Sequence, residues 1–305
     1  MASNPGYNPN DLMGDSAEET WANLQEQEGQ PLVNHAGAET LPPGSIFKII
    51  TTAAGLNNGF DPSSTLTGSN VITLPDTVTE LTNYANQKCN GQDAVTLQTA
   101  FALSCNTAFV EMSEQIGADE LRKYAKAFGV GENYDLGVST SAGTLGDLPD
   151  GAATAQSAIG QRDVTMTALQ AAVMAGTVAN KGTRMQPYLV NRITDAQMKD
   201  VRTTKPKKAD QAVNEETAAT LTDLMYASER SSAGYDGNGF ASKTGTAEHG
   251  EGLAPHVWYV AFDPDRDIAV GVVVKNGGNL GESATGGKVS GPIGRAILRA
   301  YQGEQ

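Results

Sequence analysis

The spacing of apolar residues along this chain predicts a series of helices followed by strands. A polar, irregular lead-in precedes the first helical pattern, and an apolar run of residues 46–56 ends at the turn Asn57-Asn58-Gly59. Helical spacing returns from Thr96, is interrupted at Gly117, and leaves residues 104–106 in the seam between two helices. The predicted helices are 17–28, 46–56, several between 96 and 128, 160–180, 215–228 and 291–302.

The last third of the chain changes to strand-like patterns. Residues 239–247, 257–262 and 268–274 are rich in β-branched, aromatic and small residues, and residues 263–267 form a turn between the last two. Residues 61–92 are turn-rich, with a short extended piece at 69–74. Helices first, then an antiparallel meander and a closing helix, predict a mixed α+β fold in which helices cover an antiparallel sheet.

Charge and composition exclude some classes of function. The chain has 305 residues, 35 of them acidic and 21 basic, with a formal net charge of −14. This argues against a nucleic-acid partner, which requires clustered basic residues. The densest basic run, 205–208, contains a proline and is expected to be a solvated loop. No stretch approaches the roughly 20 apolar residues of a membrane span, and the N-terminus has no signal-peptide pattern, so we expect the chain as given to be soluble.

Cysteine and histidine usage predicts no metal site. Cys89 and Cys105 are too few for a zinc site, and no histidine has ligand spacing around them. The residues alone leave two buried thiols and a disulfide equally open, since the cellular compartment decides between them.

Three short polar motifs carry candidate chemistry: Ser45-Ile-Phe-Lys48, Ser104-Cys-Asn106 and Lys243-Thr-Gly245. A serine and a lysine three residues apart at a helix start share one face, so the amine can reach the hydroxyl. Backbone N–H groups at a helix start suit a developing oxyanion. Ser-x-x-Lys is expected about once by chance in a chain of this size. Lys48, however, interrupts an apolar run, and a buried lysine is costly without a role.

The other two motifs are ambiguous by themselves. Ser104 and Asn106 are typical of a helix cap and a turn, and Lys243 could simply begin a strand. The hydroxyls of the following threonines could bind a carboxylate, and Gly245 would let a substrate backbone lie against the strand edge. Residues 237–244 are also one residue away from a phosphate-binding loop. The missing glycine at 242 and the lack of a preceding strand argue against that interpretation.

Taken together and in this order, the motifs resemble those of the active-site serine penicillin-recognising enzymes. The flanking segments 43–48, Ala158-Ile-Gly-Gln161 and 243–248 extend the resemblance, as does the segment 4–10, so that it covers nearly the whole chain. The similarity is to class B penicillin-binding proteins, which are monofunctional transpeptidases, of the penicillin-binding protein A type. Two positions depart from the family pattern, because Ser242 and Arg162 stand where the family usually has glycine.

The resemblance implies a role for each motif residue. Ser45 would be the acylated nucleophile and Lys48 its general base, while Ser104 would relay a proton to the leaving amine. The other implied roles are substrate-amide binding by Asn106, tuning of the field around Ser104 by Lys243, substrate binding by Thr244, Gly245 and Thr246, and an oxyanion hole of the Ser45 and Thr246 backbone N–H groups.

The implied reaction is attack of Ser45 on D-Ala-D-Ala of a peptidoglycan stem peptide and transfer of the acyl group to a neighbouring amine, without a cofactor. β-Lactams would acylate Ser45 as substrate mimics. The implied location is the extracytoplasmic face of a bacterial membrane, with other cell-wall synthesis proteins as partners. In that compartment the resemblance favours a Cys89–Cys105 disulfide.

The resemblance also implies a β-lactamase/transpeptidase-like fold. Residues 1–305 would form one transpeptidase domain with a mostly helical subdomain at 60–160. In the family a membrane anchor and the first two sheet strands precede the segment that begins at Asn4. Without those strands, residues 268–274 would be an exposed apolar edge.

Three related functions stay open at this point. A class A β-lactamase would need a Glu-x-x-Leu-Asn pattern between Asn106 and Lys243, and this chain has none there. A D,D-carboxypeptidase would use the same motifs with water as the acceptor. A non-catalytic sensor could retain the fold.

Overall fold

A computed structural model describes residues 1–250 and 252–303 of the chain. Within these ranges the helices are α1 Ala17–Glu26, α2 Lys48–Leu56, α3 Leu97–Leu103, α4 Asn106–Ala127, α5 Gly151–Ala158, α6 Ala168–Ala179, α7 Glu215–Ser231 and α8 Ser290–Gly303. The strands are β1 Thr65–Thr67, β2 Val71–Thr73, β3 Glu80–Thr82, β4 Ala94–Thr96, β5 Thr183–Met185, β6 Arg192–Thr194, β7 Asp200–Thr203, β8 Lys208–Gln211, β9 Ala241–Ala247, β10 His256–Asp263 and β11 Ile268–Val274.

The central element is an antiparallel sheet in the order β11-β10-β9. Strand β10 is buried along its whole length, since it pairs with a strand on each side and α6 and α8 both pack against it. Its residues alternate between two cores, because Trp258 and Val260 join the large core that contains α2, whereas Tyr259 and Ala261 join a smaller one with Leu298 of α8. The predicted antiparallel sheet covered by helices is confirmed.

Strand β11 forms one edge of this sheet. Among the described strands it pairs only with β10, so its outer backbone groups have no strand partner. Its side chains are mostly half-buried, because α6 and α8 pack against it. The predicted edge at 268–274 is therefore present, but its apolar side chains are better covered than the sequence led us to expect.

The predicted helix at 160–180 is wrong in its first half. Helix α5 ends at Ala158, Gly160 has a left-handed φ of 75°, and α6 begins only at Ala168. Thr167 caps α6 through a capping box with Gln170, which fixes that start. The apolar residues between the two helices are buried in a loop rather than on a helix face.

Residues 60–160 contain α3, α4 and α5 together with two small sheets, β1 with β4 and β2 with β3. Helix α4 is interrupted at Gly117, whose φ of 74° and ψ of 169° are not helical. These helices share one continuous core with α2 and β10. The assignment of this segment to a subdomain stays a prediction.

Candidate active site

Ser45 and Lys48 lie where a short 3₁₀ turn, Gly44–Phe47, leads into α2. Side chains three residues apart in a 3₁₀ turn project in the same direction, so the hydroxyl and the amine share one side of the turn. Ser45 is half-buried, whereas Lys48 has no exposed surface. The apolar residues on either side, Ile46, Phe47 and Ile49, are also fully buried and anchor this turn in the core.

The Lys48 amine is held between the two residues of the second motif. Its Nζ donates to the Ser104 carbonyl oxygen at 2.7 Å, to Ser104 Oγ at 3.3 Å and to Asn106 Oδ1 at 2.8 Å, and it lies 5.1 Å from the centre of the Phe109 ring. Burial, and to a lesser extent the charge of Lys243, holds the pKa of Lys48 well below its usual 10.5. A lysine whose pKa is lowered in this way loses its proton more readily than an exposed lysine and can then act as a base.

Ser104 adopts a strained backbone conformation between α3 and α4. Its φ of 62° and ψ of 38° are left-handed, which costs a residue other than glycine on the order of 1–3 kcal/mol. Bonds from Lys48 to its carbonyl oxygen and from Lys243 Nζ to Oγ, the latter at 2.9 Å, hold it there. Because both lysines direct N–H groups at Oγ, the hydrogen of the hydroxyl itself stays available for transfer.

Lys243 approaches Ser104 from β9. It is fully buried, its Nζ also donates to the Thr244 carbonyl oxygen at 3.0 Å, and the ring of Phe101 lies 5.7 Å away. Burial lowers the pKa of Lys243 to about 7. Two buried amines with lowered pKa values therefore converge on one hydroxyl, which is an arrangement suited to moving a proton.

Asn106, at the start of α4, has both ends of its amide bonded. Its Oδ1 accepts from Lys48, and its Nδ2 donates to the Thr82 carbonyl oxygen at 3.1 Å, which leaves one N–H of the amide for a ligand. The buried Asn83 supports this region, because its Oδ1 accepts from the Thr107 backbone N–H at 3.0 Å. Sequence reasoning missed Asn83, since an asparagine in a turn-rich segment carries no distinguishing signal.

The backbones of the first and third motifs are in close contact. A Cβ on Gly44, whose φ is 52°, would lie 2.8 Å from the Thr246 carbonyl oxygen. A Cβ on Gly160 would lie 2.1 Å from the Gly44 carbonyl oxygen, while the Gly44 N–H donates to the Gly160 carbonyl at 2.9 Å. Only glycine permits these approaches. The first of these approaches brings Thr246 next to the residue that precedes Ser45, where the family resemblance implies an oxyanion hole.

Thr244 and Thr246 are half-buried and Gly245 is buried. Residues 244 and 246 lie on one face of β9 because side chains alternate along a strand. The three motifs meet through Lys48 and Lys243, since both amines contact Ser104.

A disulfide joins Cys89 to Cys105, with 5.7 Å between their Cα atoms. Cys105 is the residue between Ser104 and Asn106, and it immediately precedes α4. The bond ties the second motif to the loop that precedes β4, so it restrains the backbone on which both polar side chains stand.

Removing this disulfide with Cys89→Ala and Cys105→Ala is expected to lower the melting temperature and slow acylation by a labelled penicillin. Closing a loop of this length stabilises a chain by about 3 kcal/mol. Thermal melts with and without dithiothreitol test this, because the reductant should shift the wild type and leave the double variant unchanged. Two thiols alkylated in the intact mass of the non-reduced wild type would contradict the prediction.

Lys243 lies within a strand, whereas the lysine of a phosphate-binding loop opens a helix, which argues further against nucleotide binding. In the described part of the chain, no group of three or more His, Cys, Asp or Glu side chains could hold a metal ion. None of the helices in the described ranges is both long and apolar enough to cross a membrane.

Comparison with known proteins decides the family. The model of the penicillin-binding protein transpeptidase domain family matches residues 1–299. The chain belongs to this family. The predicted resemblance is thereby confirmed.

Three similar proteins are named as transpeptidases or penicillin-binding proteins. The chain is 43% identical to the peptidoglycan D,D-transpeptidase PbpA of Mycolicibacterium smegmatis over 98% of its own length and 63% of that protein. It is 41% identical to the penicillin-binding protein A of Mycobacterium tuberculosis in its penicillin G acyl-enzyme complex, with a TM-score of 0.93 over 99% of this chain and 71% of that one. A D,D-transpeptidase domain from Eggerthella lenta is 25% identical, with a TM-score of 0.83 over 100% of this chain and 75% of that one. The chain thus spans less than two thirds of the length of the Mycolicibacterium relative.

Proposed function

We propose that this domain is a peptidoglycan D,D-transpeptidase that forms an acyl-enzyme on Ser45 and is inhibited by β-lactams. The observation that carries the proposal is the convergence of the Lys48 and Lys243 amines on Ser104 Oγ, with Lys48 one turn of chain after Ser45. The related penicillin-binding protein A of Mycobacterium tuberculosis forms a penicillin G acyl-enzyme, which supports the same chemistry here.

Each step has a residue to perform it. Neutral Lys48 takes the proton of Ser45 as its Oγ attacks the carbonyl carbon of the penultimate D-Ala, and the backbone N–H groups of Ser45 and Thr246 stabilise the oxyanion. Ser104 passes a proton to the nitrogen of the departing D-Ala, and Lys243 resupplies Ser104. An amine of a second stem peptide then attacks the acyl carbonyl and passes its proton through Ser104 to Lys243. Lys48 returns a proton to Ser45 Oγ as the ester bond breaks, which restores the starting state.

Substrate contacts are assigned to the edge of β9 and to Asn106. The Thr244 and Thr246 hydroxyls bind the terminal carboxylate of the donor, and Gly245 lets the substrate backbone approach the strand. The free N–H of the Asn106 amide binds a peptide carbonyl of the stem peptide. The location that fits this substrate is the extracytoplasmic face of the membrane, where other cell-wall synthesis proteins would be its partners.

Nitrocefin should be consumed in a burst of about one equivalent per chain, followed by very slow turnover, because a transpeptidase acyl-enzyme resists water. The absorbance of hydrolysed nitrocefin measures both phases, the burst by stopped-flow mixing and the slow turnover after manual mixing. Sustained turnover would instead indicate a β-lactamase. A D-Ala-D-Ala peptide incubated with an acceptor amine should yield cross-linked product, and release of D-Ala without transfer would indicate a D,D-carboxypeptidase.

A further inference from the structure

A buried ionic cluster lies directly behind the strand that carries Lys243. At its centre is Glu229 of α7, which has no exposed surface. Its carboxylate accepts hydrogen bonds from Arg295 Nε at 2.7 Å, Tyr259 Oη at 3.0 Å, Asn238 Nδ2 at 3.0 Å and Ser242 Oγ. We refer to these five residues as the Glu229 cluster. It connects α7, β9, β10 and α8 through one carboxylate.

The contacts of the Glu229 cluster favour the ionised form of the Glu229 carboxylate. Burial alone would raise the pKa of Glu229, but hydrogen bonds from Arg295, Ser242 and Asn238 bring it below its usual 4.5. The Arg295 guanidinium is also buried and lies 5.5 Å from the centre of the Tyr259 ring. A buried ion pair is weak evidence for a purely stabilising role, since apolar residues often serve as well or better in such a place. The position of this ion pair, directly behind β9, therefore indicates a role other than stabilisation.

The cluster holds β9 from the face opposite to Lys243. Ser242 pairs with Ala261 of β10, whereas Lys243 pairs with Val260, so the two neighbouring side chains point to opposite sides of the sheet. Among the described strands, β9 pairs only with β10 and forms the second edge of the sheet. An edge strand is restrained on one side only, so contacts on its faces determine where it lies.

We propose that Ser242 and Glu229 are positioning residues that hold β9 so that Lys243 Nζ meets Ser104 Oγ, with Arg295 fixing the carboxylate. The Lys243–Ser104 contact is 2.9 Å long and links two segments 139 residues apart in the chain. A small displacement of β9 would lengthen it, and a misplacement of about 1 Å can slow an enzyme on the order of a hundredfold. Ser242, one of the two residues that depart from the family pattern, thereby has a partner in the Glu229 carboxylate. The inference rests on the proposed function of the same site.

The proposal predicts a change in pH dependence as well as in rate. On its own face the ionisable neighbour of Lys243 is Lys48 of α2. On the opposite face are Glu229, Arg295 and Tyr259. If Lys243 moves away, its charge depresses the Lys48 pKa less, so Lys48 keeps its proton to higher pH. In a plot of the acylation rate constant against pH, the rise on the acidic side (the acidic limb) should therefore move to higher pH.

Ser242→Ala tests the proposal against a matched control, Ser290→Ala. Ser290 is an equally buried serine on α8 whose Oγ donates to the Val257 carbonyl oxygen of β10 at 2.7 Å and not to the Glu229 carboxylate. We expect Ser242→Ala to lower the acylation rate constant for a labelled penicillin by about ten- to a hundredfold and to shift the acidic limb to higher pH. Ser290→Ala should change neither.

Tyr259→Phe provides a second variant, should Ser242→Ala fail to fold. It removes one hydrogen bond to the Glu229 carboxylate and keeps the aromatic ring. We therefore expect a smaller decrease in the acylation rate constant and a smaller shift of the acidic limb to higher pH. Rates and pH profiles of the two cluster variants that match those of Ser290→Ala would overturn the proposal. Labelling of Ser45→Ala would instead refute the proposed function, so the two failures are distinguishable.

Discussion

Ser45→Ala is expected to abolish covalent labelling by penicillin, with a loss of about 10⁴-fold or more. Ser45 stands at the 3₁₀ turn that precedes Lys48, beside the Thr246 backbone. Ser104, the other serine of the site, is in the left-handed conformation, and its Oγ is already engaged by two lysines. It is placed to transfer a proton rather than to hold an acyl group.

Intact mass and peptide mapping after incubation with penicillin G measure this outcome. The wild type should gain one adduct, on the peptide that contains Ser45, and Ser45→Ala should gain none. Ser104→Ala is the informative control, because it should form the same adduct on Ser45 more slowly. An adduct on Ser104, or equal labelling of Ser45→Ala and the wild type, would refute the assignment of the nucleophile.

The sequence predicted the parts of the fold whose residues carry a local signal. The apolar run of residues 46–56 and the runs of β-branched, aromatic and small residues in β9, β10 and β11 are long enough to specify an element type by themselves. The three motifs were recognisable by order and type, although none was decisive alone. That they come together at Ser104 depends on the tertiary structure. The resemblance to a known family implied this arrangement, but the periodicity of the sequence could not show it.

Other parts depend on contacts between distant residues. The break before α6 follows from Gly160, whose left-handed backbone lies against Gly44 across the fold. Strands β7 and β8 are exposed along their whole length, so they lack the apolar alternation that predicts a strand. Glu229 looks like a solvent-facing residue of an amphipathic helix, and its partner Arg295 is 66 residues away. No local pattern connects the two.

Replacing Lys48 with Met is expected to slow acylation by about 10²- to 10⁴-fold, the usual contribution of a general base. The same change should alter the melting temperature at neutral pH little, because it removes the cost of a buried amine together with the hydrogen bonds from Lys48 to Ser104 and Asn106. The pKa of Lys48 lies well below 10.5 in the folded chain, so the unfolded chain binds more protons between the folded pKa and 10.5. Stability therefore rises with pH in that window, and below it the buried charge costs stability that Met avoids.

Lys243→Met tests the coupling between the two lysines. Burial is the larger cause of the lowered Lys48 pKa, and the charge of Lys243 is the second. Removing that charge should raise the pKa of Lys48, so the acidic limb of the acylation profile should move to higher pH. Rates of labelled-penicillin acylation from pH 5 to 10 measure the shift.

Lys181→Met is the matched control, because Lys181 pairs with Glu215 at the surface with 72% of its side chain exposed. It should leave both the rate and the profile unchanged. An acidic limb of Lys243→Met that stays in place or moves to lower pH would show that Lys48 is not the titrating base. A shift of the acidic limb to higher pH, together with a lower maximal rate, would separate two roles of Lys243. The shift reports its electrostatic effect on the pKa of Lys48, and the lower maximal rate reports its part in proton delivery through Ser104.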